Sequence, residues 1–503
     1  MDRREFLSVA AAVPAMAKLQ PRSTSAPTPH HPSHEICFKE ATELARLLRT
    51  RAISAVEVMQ AHLSQIARIN PKVNAICTLV DEEELLRQAR AADARPKTSG
   101  TIGPLRGFPH AVKDLVPTAG IRTTYGSLIY RNNVPTDDAL IVRRLKAAGA
   151  IIIGKTNTPE FGAGSQTFNR VFGVTRNPHD LSRTCGGSSG GAAVSVACGM
   201  TPLADGSDHG GSLRNPPSFC GVVGFRPSIG RVPAWPKAQP WTSMSVDGPI
   251  ARTVRDVALL LSVIAGPDAR APIVIDEPGS VFRGPLRRDF KGVRIAWSRN
   301  LGKYPVEPVV NDVCDKARHL FTDIGCSVED GEPDFADADA TFQTLRAWSF
   351  AQERGEDFRQ HRDLMKDTVI WNTEQGLKLS GVDVARAEVQ RAALYQRVRE
   401  FLERYEFLVL PVSQVAPFPA DVEWVRDING VKMNTYIDWM ATCYAITLTG
   451  LPAISVPCGF TPTGLPIGLQ IVGRPRRDLD VLKLAYAFEQ HAGLAKRRPS
   501  VVG

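Results

Sequence analysis

The chain reads as an α/β protein, a β-sheet covered by helices, because short apolar runs alternate with amphipathic segments along most of its length. One unit shows the pattern best: a helical stretch over 138–148, a glycine at 149, and the strand Ala150-Ile151-Ile152-Ile153. Strand-like runs return late, at Phe407-Leu408-Val409-Leu410-Pro411 and at Ala453-Ile454-Ser455-Val456-Pro457. A composition of 43% hydrophobic and 22% charged residues supplies enough apolar material for a large core.

The N-terminus reads as an address. Arg3-Arg4 precede Phe6-Leu7 and a mild alanine-rich stretch, and Ala15-Met16-Ala17 fits a small-residue cleavage site. Residues 1–17 resemble a twin-arginine export signal, which places the protein in the periplasm or outside the cell; a cytoplasmic location follows if they are not one. Residues 18–34, rich in Pro, Ser, Thr and His, are expected to form a flexible linker. Then Ser54 and Glu57 make a capping box, predicting a helix stopped near Ile69 by Asn70-Pro71. A strand is expected over 73–80 and a helix over 81–94. Asp138 is the expected cap of the helix before Gly149. The stretch 275–430 is helix-rich and less regular, with Trp297, Trp348, Trp371 and Trp424, and the last helix spans 479–489.

Several function classes drop out. No apolar run reaches the length of a membrane span. The net charge of +9 comes from scattered basic residues, which read as solvated surface and not as a nucleic-acid or lipid site. Nine cysteines without a CxxC pair offer no zinc spacing, so neither metal nor cofactor is expected.

Two motif matches mislead. Gly149-Ala150-Ile151-Ile152-Ile153-Gly154-Lys155-Thr156 fits the phosphate-loop pattern letter for letter. A phosphate cradle needs a loop that opens a helix, whereas three isoleucines favour an extended strand and Asn157-Thr158-Pro159 follows. Gly186-Gly187-Ser188-Ser189-Gly190-Gly191 contains GxSxG, but loop-like residues precede it where a nucleophile elbow needs a strand.

Three segments carry chemistry: Val112-Lys113-Asp114 at the end of a short strand, the Ser188 glycine run, and Asp208-His209-Gly210-Gly211-Ser212-Leu213-Arg214. Together they resemble the amidase signature family, which joins a lysine, a GGSSGG run and a D-x-GGS-x-R segment in this order. The likeness extends through Gly154–Phe161, 248–256, Gly450-Leu451-Pro452-Ala453 and 464–470. It implies a single large domain over 35–495, a mixed twisted sheet surrounded by helices, with 275–430 building the substrate pocket.

The resemblance also implies a triad of Lys113, Ser188 and Ser212. A serine hydroxyl needs a base to become a nucleophile, and a lysine can serve once burial lowers its pKa. Ser188, after a cis peptide bond, would pass the Ser212 proton to Lys113. The backbone amides of His209, Gly210, Gly211 and Ser212 would form the oxyanion hole. Asp208 and Arg214 are expected to brace that loop, Ser189 to support the triad, and the His209 side chain to line the pocket. The implied substrate is a small carboxamide, R-CO-NH-R′, and the resemblance leaves a homodimer open. Trp235, Trp241 and Trp439, with the tryptophans of 275–430, hint at an aryl substrate. The rival readings are an esterase or carbamate hydrolase on the same residues, a glutamine-hydrolysing amidotransferase component, and a binding module that does no chemistry.

Overall fold

The computed structural model describes residues 32–95 and 103–503. The twin-arginine segment 1–17 and the linker as far as 31 lie outside the described residues. Residues 32–34, expected to end the linker, instead open a short helix, Pro32–Cys37.

Two sheets organise the rest. A three-stranded sheet has β1 (Ile76–Leu79), β2 (Pro109–Lys113) and β3 (Ile151–Thr156) in the order β1-β3-β2. An eight-stranded mixed sheet contains β4 (Leu203–Asp208), β5 (Val223–Arg226), β6 (Val246–Ala251), β7 (Arg294–Trp297), β8 (Ser327–Asp330), β9 (Phe407–Pro411), β10 (Ala453–Phe460) and β11 (Pro466–Gly473). Its order is β8-β7-β9-β11-β10-β5-β6-β4, parallel at the β8-β7-β9 end and antiparallel elsewhere. The central strands β9 and β11 are buried on both faces, β9 as an unbroken apolar run and β11 with Gln470 as its one polar residue.

The two sheets meet edge to edge. Strand β2 borders one and β4 the other, and the Asp205 carboxylate bridges them. Both of its oxygens lie 3.3 Å from the backbone N of Lys113, and Oδ1 lies 2.9 Å from His110 Nε2. Asp205 and Ser207 are two apart on β4, so they share a face, and that face looks at the end of β2. The seam is where the three chemistry-bearing segments converge.

Local departures from expectation have local causes. The capping box at Ser54 and Glu57 forms, but the helix runs over Ala55–Val73, with Pro71 inside its last turn. There a proline removes a single hydrogen bond. The Asn70 side chain then accepts from the amides of Ala75 and Ile76, which delays β1 to Ile76. Asp138 does not cap the helix Leu140–Ala147; it accepts from Ala119 N at 2.8 Å and pairs with Lys146 at 2.7 Å. The phosphate-loop lookalike is β3, a fully buried strand.

Candidate active site

Lys113 ends β2 and is fully buried. Its Nζ sits among three hydroxyls: Ser188 Oγ at 2.8 Å, Ser189 Oγ at 2.9 Å and Ser207 Oγ at 3.0 Å. Burial pushes its pKa down to about 7, against the opposing pull of Asp205, Asp247 and Asp208. A buried amine without a carboxylate partner can be neutral at working pH, the form that accepts a proton.

Ser188 and Ser189 lie at the entry to the buried helix Gly190–Ala197, and the Gly187–Ser188 peptide bond is cis. The loop is tied from behind, where Ser165 Oγ donates to the Gly187 carbonyl at 2.7 Å and Thr167 Oγ1 to the Gly186 carbonyl at 2.8 Å.

The third segment turns directly after β4 and is held by a buried charge cage. Asp208 pairs with Arg214 at 3.0 Å and with Arg226 at 2.9 Å, all three side chains fully buried. Burial alone would raise the Asp208 carboxyl, but the two guanidinium groups outweigh it and hold the group well below the usual carboxylate range. The same carboxylate accepts from the backbone amides of Gly211 at 2.9 Å and Leu213 at 3.0 Å. Arg214 reaches on to the Cys443 carbonyl, Gln470 and Thr447, fastening the loop to the neighbouring helix and β11. Gly211 has φ +125°, and a Cβ there would lie 2.6 Å from Cys443 Cβ, so this turn admits glycine alone.

A cavity of about 220 Å³ opens over this assembly, bordered by Ser188, Ser207, His209, Gly210 and Ser212. Its far wall is the helix Ala338–His361, which presents Arg346, Ser349, Phe350, Glu353 and Arg354. Tyr125, Phe161 and Met440 complete its apolar surface. None of the seven tryptophans borders it, and Trp297 and Trp439 are core residues, so the aryl hint drawn from them loses its basis.

The structure therefore brings Lys113, Ser188 and Ser189 into direct contact and sets Ser212 on the same cavity. Among the described residues Ser212 Oγ has no hydrogen-bond partner, so the link from Ser212 to Ser188 is not closed here. One expected oxyanion donor differs as well. The single N–H of Gly211 is taken by Asp208, whereas the amides of His209, Gly210 and Ser212 donate to no protein acceptor among the described residues. The His209 ring borders the cavity, with Nδ1 2.7 Å from Ser245 Oγ. Burial, reinforced by Arg346 and Arg226, pushes its pKa well below the ordinary histidine value and keeps the ring neutral. All nine cysteines are free thiols, and no cluster that could hold a metal occurs among the described residues.

Sequence reasoning passed over Ser207, Asp205, Arg226 and Arg346. The first two had a signal, since the strand period puts both on one face of β4, the strand that leads into Asp208. Arg226 and Arg346 had none, because their partners are distant in the chain.

The chain matches known proteins over most of its length. The amidase family model matches residues 57–482. The chain is 36% identical over 463 residues to an acylamidase of Rhodococcus erythropolis, covering 92% of this chain and 97% of that one. It is 35% identical over 495 residues to a glutamyl-tRNA(Gln) amidotransferase component from Moorella thermoacetica, covering 93% and 99%. A solved bacterial aryl acylamidase of the amidase signature enzymes superposes with a TM-score of 0.84 at 29% identity, covering 93% of this chain and all of that one. The chain belongs to the amidase signature family.

Proposed function

We propose that this enzyme hydrolyses a linear carboxamide through an acyl-enzyme on Ser212, with Ser188 and Lys113 carrying the proton. The observation that supports it most is the fully buried Lys113 amine, 2.8 Å from Ser188 Oγ and with its pKa lowered to about 7. In this reading Ser212 Oγ attacks the amide carbon while its proton passes to Ser188 and the Ser188 proton passes to Lys113. The oxyanion is met by the amides of His209, Gly210 and Ser212, each such donor contributing about 3–4 kcal/mol in the transition state. The C–N bond breaks as Lys113 returns the proton through Ser188 to the departing nitrogen. Water then attacks the ester by the same relay, releasing the carboxylate and restoring Ser212. Bound substrate brings Ser212 into reach of Ser188, as catalytic hydrogen bonds often tighten only in the Michaelis complex.

Ser212→Ala is expected to abolish turnover and labelling by a fluorophosphonate. Wild-type rates in the purified variant would discard the mechanism.

We assign the catalytic unit to 35–495, with 275–430 supplying one wall of the pocket. Residues 1–17 fit a twin-arginine leader that sends the folded enzyme out of the cytoplasm. Replacing Arg3 and Arg4 by lysine should then retain the enzyme in the cytoplasmic fraction, and undiminished export would remove the address.

A second reading draws on the 35% identity to the amidotransferase component. Glutamine hydrolysis that requires a partner protein would favour it, whereas turnover of simple amides by the isolated chain favours the first.

A further inference from the structure

We infer that the substrate carries a carboxylate and that Arg346 binds it on the cavity wall facing Ser188 and Ser212. This rests on the hydrolase reading above and names the substrate class of the same site. Arg346 is only 4% exposed, yet its guanidinium meets no carboxylate. Nε and Nη2 donate to the Tyr436 hydroxyl at 3.3 and 2.9 Å, and the group lies 4.8 Å from the ring centre of Phe350 and 5.6 Å from that of Tyr436. Nη1, with two N–H bonds, has no protein acceptor among the described residues.

The nearby acids are committed elsewhere. Glu353 lies 3.7 Å from Arg354, Asp357 lies 3.5 Å from Arg354, and Glu423 lies 3.4 Å from Lys366. An arginine stays protonated under all ordinary conditions, so this is a buried positive charge solvated by one phenol and two ring faces.

Other buried arginines in this molecule are treated differently. Arg214 and Arg226 share Asp208, and Arg231 has Asp478 at 3.1 Å. A guanidinium out of water is costly unless an anion compensates it. At Arg346 the side open to an anion is the cavity that also borders the two serines. A planar carboxylate on Nη1 would complete the pair by charge-assisted hydrogen bonds and orient the amide relative to Ser212. The volume of about 220 Å³ restricts the spacer to a short chain or a single ring, which Tyr125, Phe161 and Phe350 would flank.

Two matched substrate pairs test this with the wild-type enzyme alone. Succinic acid monoanilide against butyranilide puts the charge on the acyl side, and 4-acetamidobenzoate against acetanilide puts it on the amine side. In one pair the carboxylate member should show a kcat/KM at least about tenfold above its neutral partner. Arg346→Met should bring that ratio to about one, with Arg346→Lys retaining part of it. Equal or better turnover of the neutral member in both pairs overturns the inference and leaves the hydrolase reading standing. So does failure to cleave either pair by an enzyme that cleaves other amides. An enzyme that cleaves no amide at all overturns the hydrolase reading instead.

Discussion

Lys113 and Lys155 sit on neighbouring parallel strands, Lys113 opposite Thr156 and Lys155 opposite Val112, and both side chains are fully buried. Burial lowers both pKa values, to about 7 for Lys113 and about 8 for Lys155. Their partners separate them. Lys155 Nζ donates to the Val116 carbonyl at 2.5 Å and to Thr118 Oγ1 at 2.9 Å. A carbonyl has no proton to give, and the Thr118 hydroxyl is itself committed as a donor to that carbonyl at 3.1 Å, so neither partner can pass a proton to this amine. Lys113 meets hydroxyls alone, and a hydroxyl can turn from acceptor to donor when the amine becomes neutral. Desolvation loosens a proton; reversible neighbours allow it to travel. By that criterion the lysine in the phosphate-loop lookalike is suited to holding structure, and the one beside it to the proton transfer proposed for it.

Exchanging each lysine for methionine gives the sharpest separation. Lys113→Met should lower kcat by about 10²–10⁴-fold, the usual contribution of acid–base catalysis, with the urea midpoint little changed. Lys155→Met should do the reverse, leaving turnover per folded molecule within a few-fold and costing about 1–3 kcal/mol of stability from the buried hydrogen bonds lost at the Val116 carbonyl and the Thr118 hydroxyl. Equal losses of activity in the two variants would remove the distinction drawn between them.

The next effect belongs to a different buried charge. Asp208 is fully neutralised by Arg214 and Arg226 and has no proton to exchange at working pH. Asp208→Asn leaves two guanidinium groups facing a neutral amide and deprives one of the amides of Gly211 and Leu213 of its acceptor. Breaking a buried pair in this way costs about 3–5 kcal/mol, which urea denaturation would register. A midpoint within error of wild type would mean the cage does not hold the loop.

How far the chain could be read without its structure follows the same division. Lys113, Ser188 and Ser212 stood out because each lies in a short, unusual string of residues. Strands β9 and β10 stood out because a short, mostly apolar run with a proline at its end has few other uses. Pro71 misled because its effect depends on which turn of the helix it occupies, and Asp138 because its carboxylate found Ala119 and Lys146 in place of the helix end. Arg346 was invisible for a deeper reason. Its helix, Ala338–His361, is studded with exposed charges, and only the packing of Tyr436 and Phe350 reveals which arginine is buried.

The smallest effect concerns the titration of Lys113 itself. The protonated amine cannot accept a proton, so kcat/KM should fall about tenfold for each pH unit below a midpoint near 7 and level off above it. His209 adds nothing to this limb, because burial keeps it neutral throughout. Asp247, itself raised to about 6 chiefly by burial and next by Asp205, is one of the anions that favour the charged lysine. Asp247→Asn removes that support, so the limb should move to lower pH and the variant should be the faster enzyme at pH 6, by less than about tenfold. A limb displaced to higher pH would mean that the group titrating there is not the lysine on β2, because losing a neighbouring anion can only make that amine easier to deprotonate.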